Sequence, residues 1–255
     1  MLTGILIISL VTFIAVVSYK RPRLEQKLIK QIPIIDWLLI FVFPIIFYFG
    51  LLTIVKSILL RARIDILDFE DIQLIGIGII FMIYSYVGIS VHFVAKVLSR
   101  YIKKEDNPKV YRINEIFHGK LSHYVTFACA YMVIFTLALL ELNYPMFTIL
   151  PEFYLVLIAI SGILAGYSSF KAIFYTNAWY GGYSKPFFLI TLVFLIILKT
   201  IYRSHELMMG YYPLNVFISF VLLTVLCIYT FRQFLIFSKL SKKRRMNFIT
   251  RILSV

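Results

Sequence analysis

Seven apolar stretches, each about as long as a bilayer is thick, occupy most of the chain, at approximately 2–18, 34–60, 72–99, 123–142, 152–175, 187–203 and 214–238. A hydrocarbon core of about 30 Å takes roughly 20 apolar residues at 1.5 Å each, and within it every backbone N–H and C=O must find its partner inside the protein. Helices meet that demand without a neighbouring strand. The expected fold is therefore an all-α polytopic integral membrane protein, a bundle of about seven transmembrane helices. Composition supports the argument: 61% of residues are hydrophobic, against about 45–50% in soluble domains. No basic run precedes the first stretch and no small-residue cleavage site precedes Lys20, so it reads as a retained anchor rather than a removed signal peptide. Residues 1–255 read as one transmembrane domain with a basic amphipathic tail at about 239–255, without a convincing internal repeat.

Charge sets the expected orientation, because Lys and Arg near span ends stay on the cytoplasmic side. Residues 19–33, 100–122, 171–186 and the tail from Arg232, together with Lys96, hold 21 of the 26 basic residues. The opposite ends hold only Lys56, Arg61, Arg63, Lys199 and Arg203, alongside Asp65, Asp68, Glu70, Asp71, Glu141, Glu152 and Glu206. An external N-terminus and a cytoplasmic C-terminus follow, in the plasma (inner) membrane of a prokaryote. The net charge of +14 is assigned to this asymmetry and to anionic head groups rather than to nucleic acid. Lys242, Lys243, Arg244, Arg245 and Arg251, interleaved with Met246, Ile249 and Ile252, form a basic amphipathic stretch suited to anionic lipid or a protein partner. Two more amphipathic pieces, one with Leu24, Leu28 and Ile32 and one with Val110, Ile113 and Phe117, read as interfacial helices feeding the next span.

Ionisable groups inside lipid are expensive unless paired or wet, so they carry the functional signal. His92 lies deepest, with Lys96 and Arg100 following on its face, an arrangement that reads either as a guide for a proton or anion or as two snorkelling cations beside a packing histidine. Asp36 sits near the start of the second span, ahead of Pro44, where a kink is expected. The densest polar run, Asn114 to His123, contains Glu115, His118 and His123. On a regular helix His118 and His123 point about 140° apart at roughly 100° per residue, and Gly119 is the residue that would let them converge. His92, Glu115, His118 and His123 are accordingly the candidate catalytic or cofactor-binding set, for zinc, non-haem iron, haem or acid–base chemistry. The competing structural reading has Ser122 capping the fourth span and Glu115 pairing with a local cation.

Gly162 and Gly166, with Ala165 and Ser169, make overlapping small-xxx-small pairs that call for close helix packing, in the chain's own bundle or in a homo-oligomer. Cys129 and Cys227 read as packing residues without redox chemistry, and Trp179 to Tyr183 as an aromatic turn at the inner interface. The retinal-protein and rhomboid-protease classes fail on required residues, since the last span has no lysine before Lys239 and GxSG is absent. His205-Glu206 lacks the second histidine of a zinc-protease HExxH. Two functions remain. A non-catalytic subunit of a membrane assembly or transport system, docking through its basic face, ranks first. A small membrane enzyme or cofactor protein acting on a lipid-like substrate through the His/Glu set ranks second.

Overall fold

The computed structural model describes residues 1–19, 22–175 and 184–241. Helix α1 (Leu2–Ser18) is followed by a short α2 (Pro22–Gln26), a two-stranded hairpin of β1 (Leu28–Ile29) and β2 (Ile32–Pro33), and α3 (Ile34–Trp37). The last of these continues through a π turn (Leu38–Val42) into α4 (Phe43–Leu59). Then come α5 (Asp71–Leu98), α6 (Pro108–Glu115), a second π turn (Ile116–Leu121), α7 (Ser122–Leu142), α8 (Glu152–Tyr175), α9 (Ser184–Ser204) and α10 (Pro213–Ser238). Among the described residues six helices are long and apolar enough to cross a membrane, so the chain is a multi-pass, helical membrane protein. The seventh apolar helix, α1, has 17 residues and a length of about 26 Å at helical rise. It packs on one face against α4 and α8, with Ile5 and Ile8 fully buried, while Leu10 and Ile14 stand exposed on the other. Ile79, Ile80 and Ile83 likewise stand exposed around the middle of α5, as lipid-facing side chains should.

Two expectations change. The segment with Leu24, Leu28 and Ile32 is not one amphipathic helix but α2 plus the hairpin, whose two-residue turn puts Lys30 (φ 47°) and Gln31 (φ 66°) in the left-handed region. Hairpin turns of this kind usually carry Asn-Gly. Here contacts from the end of α5 hold the turn: Arg100 donates to the Gln31 carbonyl (2.8 Å) and Tyr101 Oη to Gln31 Oε1 (3.2 Å). The piece with Val110, Ile113 and Phe117 is no separate surface helix either, because α6, the π turn and α7 form one continuous helix, Pro108–Leu142.

Association of helices in lipid gains little from hydrophobicity and relies on close packing. A Cβ on Gly162 would lie 2.6 Å from the Phe217 carbonyl oxygen and one on Gly166 2.7 Å from that of Val221, so the small-residue face of α8 serves the crossing with α10 in this same chain. Ala165 is buried beside them. The α1–α4 crossing is equally tight, since a Cβ on Gly4 would meet the Gly50 carbonyl oxygen at 2.7 Å. Helix α5 packs on α7, and α8 bridges α1 and α10, but α4 and α5, consecutive in sequence, hardly touch. Cys227 is exposed on the bundle surface rather than packed within it, and Cys129 is half-buried.

One end of the bundle is locked by a buried carboxylate. Glu141, fully buried in the last turn of α7, pairs through Oε1 with Arg61 (3.1 Å) beyond α4. Its Oε2 accepts from the backbone N–H (2.9 Å) and side-chain Nδ2 (3.1 Å) of Asn215 in the first turn of α10, where unpaired amides and the helix dipole favour an anion. Asn143 holds the α4–α5 connection, accepting from the amides of Ile66 (3.1 Å) and Leu67 (2.8 Å) and donating to the Leu67 carbonyl (3.0 Å).

Gly162→Leu is expected to lower the stability of the detergent-solubilised protein by about 1–3 kcal/mol or more, the overpacking range. Gly76→Leu, where a Cβ meets nothing within 4 Å, is expected to leave the midpoint of an SDS unfolding titration unchanged.

Candidate functional site

Three of the four candidate residues come together. The His92 ring centroid lies 4.7 Å from that of His118 and 4.7 Å from that of His123. The cause is the π turn at Ile116–Leu121. Its i→i+5 bonding widens the turn, so residues five apart approach one face. At its end the Ser122 N–H bonds the Phe117 carbonyl rather than that of His118. The His118 carbonyl instead accepts from Ser122 Oγ (2.7 Å) and from His92 Nδ1 (3.1 Å). A carbonyl only accepts, so Nδ1 of His92 bears its proton, and in the neutral ring Nε2 carries the lone pair. Ser122 is therefore no helix cap: it lies within a continuous helix and bonds backward. Asn114 Nδ2 donates to the Ala95 carbonyl (2.9 Å), tying α6 to α5 below the rings.

Glu115 stays outside the cluster. Its side chain is 46% exposed and reaches His118 Nδ1 at 3.9 Å, an ion-pair distance too long for a hydrogen bond. No group of three or more His, Cys, Asp or Glu side chains among the described residues is disposed to hold a metal ion. Nε2 of His118 and Nε2 of His123 are buried without a hydrogen-bond partner among the described residues. Such orphaned polar atoms cost about 1–3 kcal/mol each unless something satisfies them.

Lys96 and Arg100 form neither a ladder toward His92 nor a snorkelling pair. Asp36, 2% exposed, takes both, Lys96 Nζ on Oδ1 (2.6 Å) and an Arg100 nitrogen on Oδ2 (3.2 Å). Lys96 also lies 4.6 Å above the Tyr19 ring, whose centroid is 6.3 Å from that of His92. Burial, with Asp36 and Glu25 adding to it, pushes the Tyr19 phenol up to about 12, so the phenol stays neutral. Asp36 stands in α3, just ahead of the π turn Leu38–Val42, where the Phe43 N–H turns back to the Leu38 carbonyl just before Pro44, which has no amide to give.

Beside the histidines lies a cavity of about 670 Å³ between the halves of α1, α4, α5, α7 and α8 nearest the basic ends. His92, His123 and Tyr19 are among its few polar walls, and Phe43, Phe47, Met82, Phe127 and Val133 among its apolar ones. Four of its lining residues, Phe41 and Ile45 on the α3–α4 side and Ile83 and Val87 on α5, are themselves exposed on the bundle surface, which makes the gap between α4 and α5 its open side. Ser169, expected to serve packing, is among the residues that line the cavity. The basic tail residues Lys242, Lys243, Arg244, Arg245 and Arg251, and the Trp179 to Tyr183 turn, lie outside the described residues.

Sequence reasoning did not find the Asp36 pairings, the Glu141–Asn215 lock or the cavity. Glu141 did carry a signal, an acid inside the end of an apolar span. Comparison with protein-family models, curated proteins and solved structures returned no match to this chain.

Asp36→Asn leaves Lys96, whose side chain is 12% exposed, without a counter-ion and is expected to cost about 3–5 kcal/mol. Adding Lys96→Met should recover much of that loss, read as the return of the thermal unfolding midpoint in detergent.

Proposed function

We propose that this protein binds a lipid-like amphiphile, its chain in the cavity between α4 and α5 and its polar end against His92 and His123. The single observation behind the reading is the pairing of an apolar cavity of about 670 Å³ with a histidine cluster at one end, a size and lining typical of ligand sites. The buried Nε2 of His123 is a group that a ligand hydroxyl, carbonyl or phosphoryl oxygen would satisfy. The opening faces the hydrocarbon region, which supports a ligand that arrives through the bilayer.

In this reading the chain is a component of a lipid-handling or transport assembly rather than an enzyme. The positive-inside asymmetry supports seven spans with an external N-terminus, a cytoplasmic C-terminus and a cytoplasmic-leaflet location for the cavity, in a prokaryotic plasma membrane. Docking through the basic tail draws on residues outside the described part and keeps only its sequence argument. The convergence of three imidazoles favours a second reading, acid–base chemistry on the bound amphiphile, with the His92 Nε2 lone pair as base.

Native mass spectrometry of gently extracted protein tests the proposal. A stoichiometric amphiphile is expected on the wild type and is expected to be lost from Ala130→Phe and Ala15→Phe, both of which fill the cavity. Protein that carries none, or keeps the same adduct in both variants while folded, overturns the reading.

A further inference from the structure

The cavity's walls define the charge of its occupant as well as its shape. Among the described lining residues there is no Asp or Glu. Lys171 is the one Lys or Arg among them. It stands on the last turns of α8, four residues before that helix ends at Tyr175 and so about 6 Å from the end at helical rise, the depth at which a lysine stem lies along apolar surface while its ammonium reaches the head groups. The ammonium sits 5.6 Å from the Tyr167 ring. His92 lies six residues before the end of α5 at Leu98, about 9 Å in by the same rise. Cation and imidazole both line the half of the cavity nearest the basic ends, each within about two turns of its own helix end. Three carboxylates stand near this region without lining the cavity: Asp36, which bonds Lys96 and Arg100, Glu115, 3.9 Å from His118, and Glu25, whose charge is felt at Tyr19.

Resting on the reading above, we infer that the amphiphile is a lipid with an anionic head group, held by Lys171 on the α8 wall near the basic end, with its polar linkage facing His123. A zwitterionic head group would bring a cation to a lining that offers it no carboxylate. An anionic one meets the Lys171 ammonium in a medium where screening is weak.

The test uses the full-length protein in delipidated detergent micelles, with phosphatidylglycerol and phosphatidylcholine of identical acyl chains as probes, and counts retained lipid by native mass spectrometry. The expected result is one retained phosphatidylglycerol, favoured over phosphatidylcholine by about fivefold or more, the contribution of one lysine near an anionic head group. Lys171→Gln should bring retention of phosphatidylglycerol down to the phosphatidylcholine level. Equal retention of both lipids at a site abolished by Ala130→Phe overturns the head-group inference and leaves the cavity reading standing. A preference for phosphatidylglycerol that survives Ala130→Phe and Ala15→Phe reports general attraction to the basic face and overturns the inference. One that survives Lys171→Gln removes Lys171 from the site. Retention of neither lipid in a cavity-dependent way sinks both readings together.

Discussion

Glu141 is the point at which three segments of this bundle are joined by charge. An unpaired carboxylate at that depth would cost several kcal/mol. It is tolerated because Arg61 supplies the opposite charge and the first turn of α10 supplies amide donors that would otherwise go unbonded. The lock is mutual, since the helix end needs an anion and the anion needs the helix end. With the end of α4, α7 and α10 fixed there, and α8 pressed on α10 through Gly162 and Gly166, one half of the bundle is held together by direct contacts.

The other half is built differently. Asp36 draws the end of α5 toward the start of α3 by bonding Lys96 and Arg100, so the basic ends are clasped as well. Between the two clasps α4 and α5 hardly meet, and α5 spends its contacts on α7. The cavity follows from that arrangement: two helices tied near their ends, parted in between, over a wall of α1, α7 and α8. The two π turns lie where this happens. One frees the His118 carbonyl for His92, and the other lets the chain pass Pro44 without breaking.

The spans were legible in the sequence because the solvent dictates them: no backbone group can be left unbonded in hydrocarbon. Span ends agree with the helices to within a few residues, except where a loop-like polar run, Asn114 to Ser122, continues a helix. That exception is physical, since a π turn satisfies its backbone internally and leaves no pattern beyond a glycine. Convergence of His118 and His123 was readable only as a condition on Gly119. The Asp36 pairings were not readable, because their partners lie 60 and 64 residues away and charges near span ends look the same whether they snorkel or pair. Glu141 was grouped with the loop acids because a span's last turn and its following loop are indistinguishable by hydropathy. The hairpin was missed because Lys30-Gln31 has none of the usual turn chemistry, its conformation being imposed by Arg100 and Tyr101.

The gap between α4 and α5 changes how occupancy of the cavity is to be reckoned. A site that opens sideways to the acyl chains exchanges with molecules dissolved in one leaflet, so its saturation depends on their mole fraction among neighbouring lipids and not on a concentration in water. A ligand that makes up even a few per cent of that leaflet would fill a site with only modest preference for it over the bulk lipid. If a lipid is the ligand proposed above, the cavity needs no tight grip to be occupied, only discrimination, and a single well-chosen charge or hydrogen bond in its lining is enough to provide that.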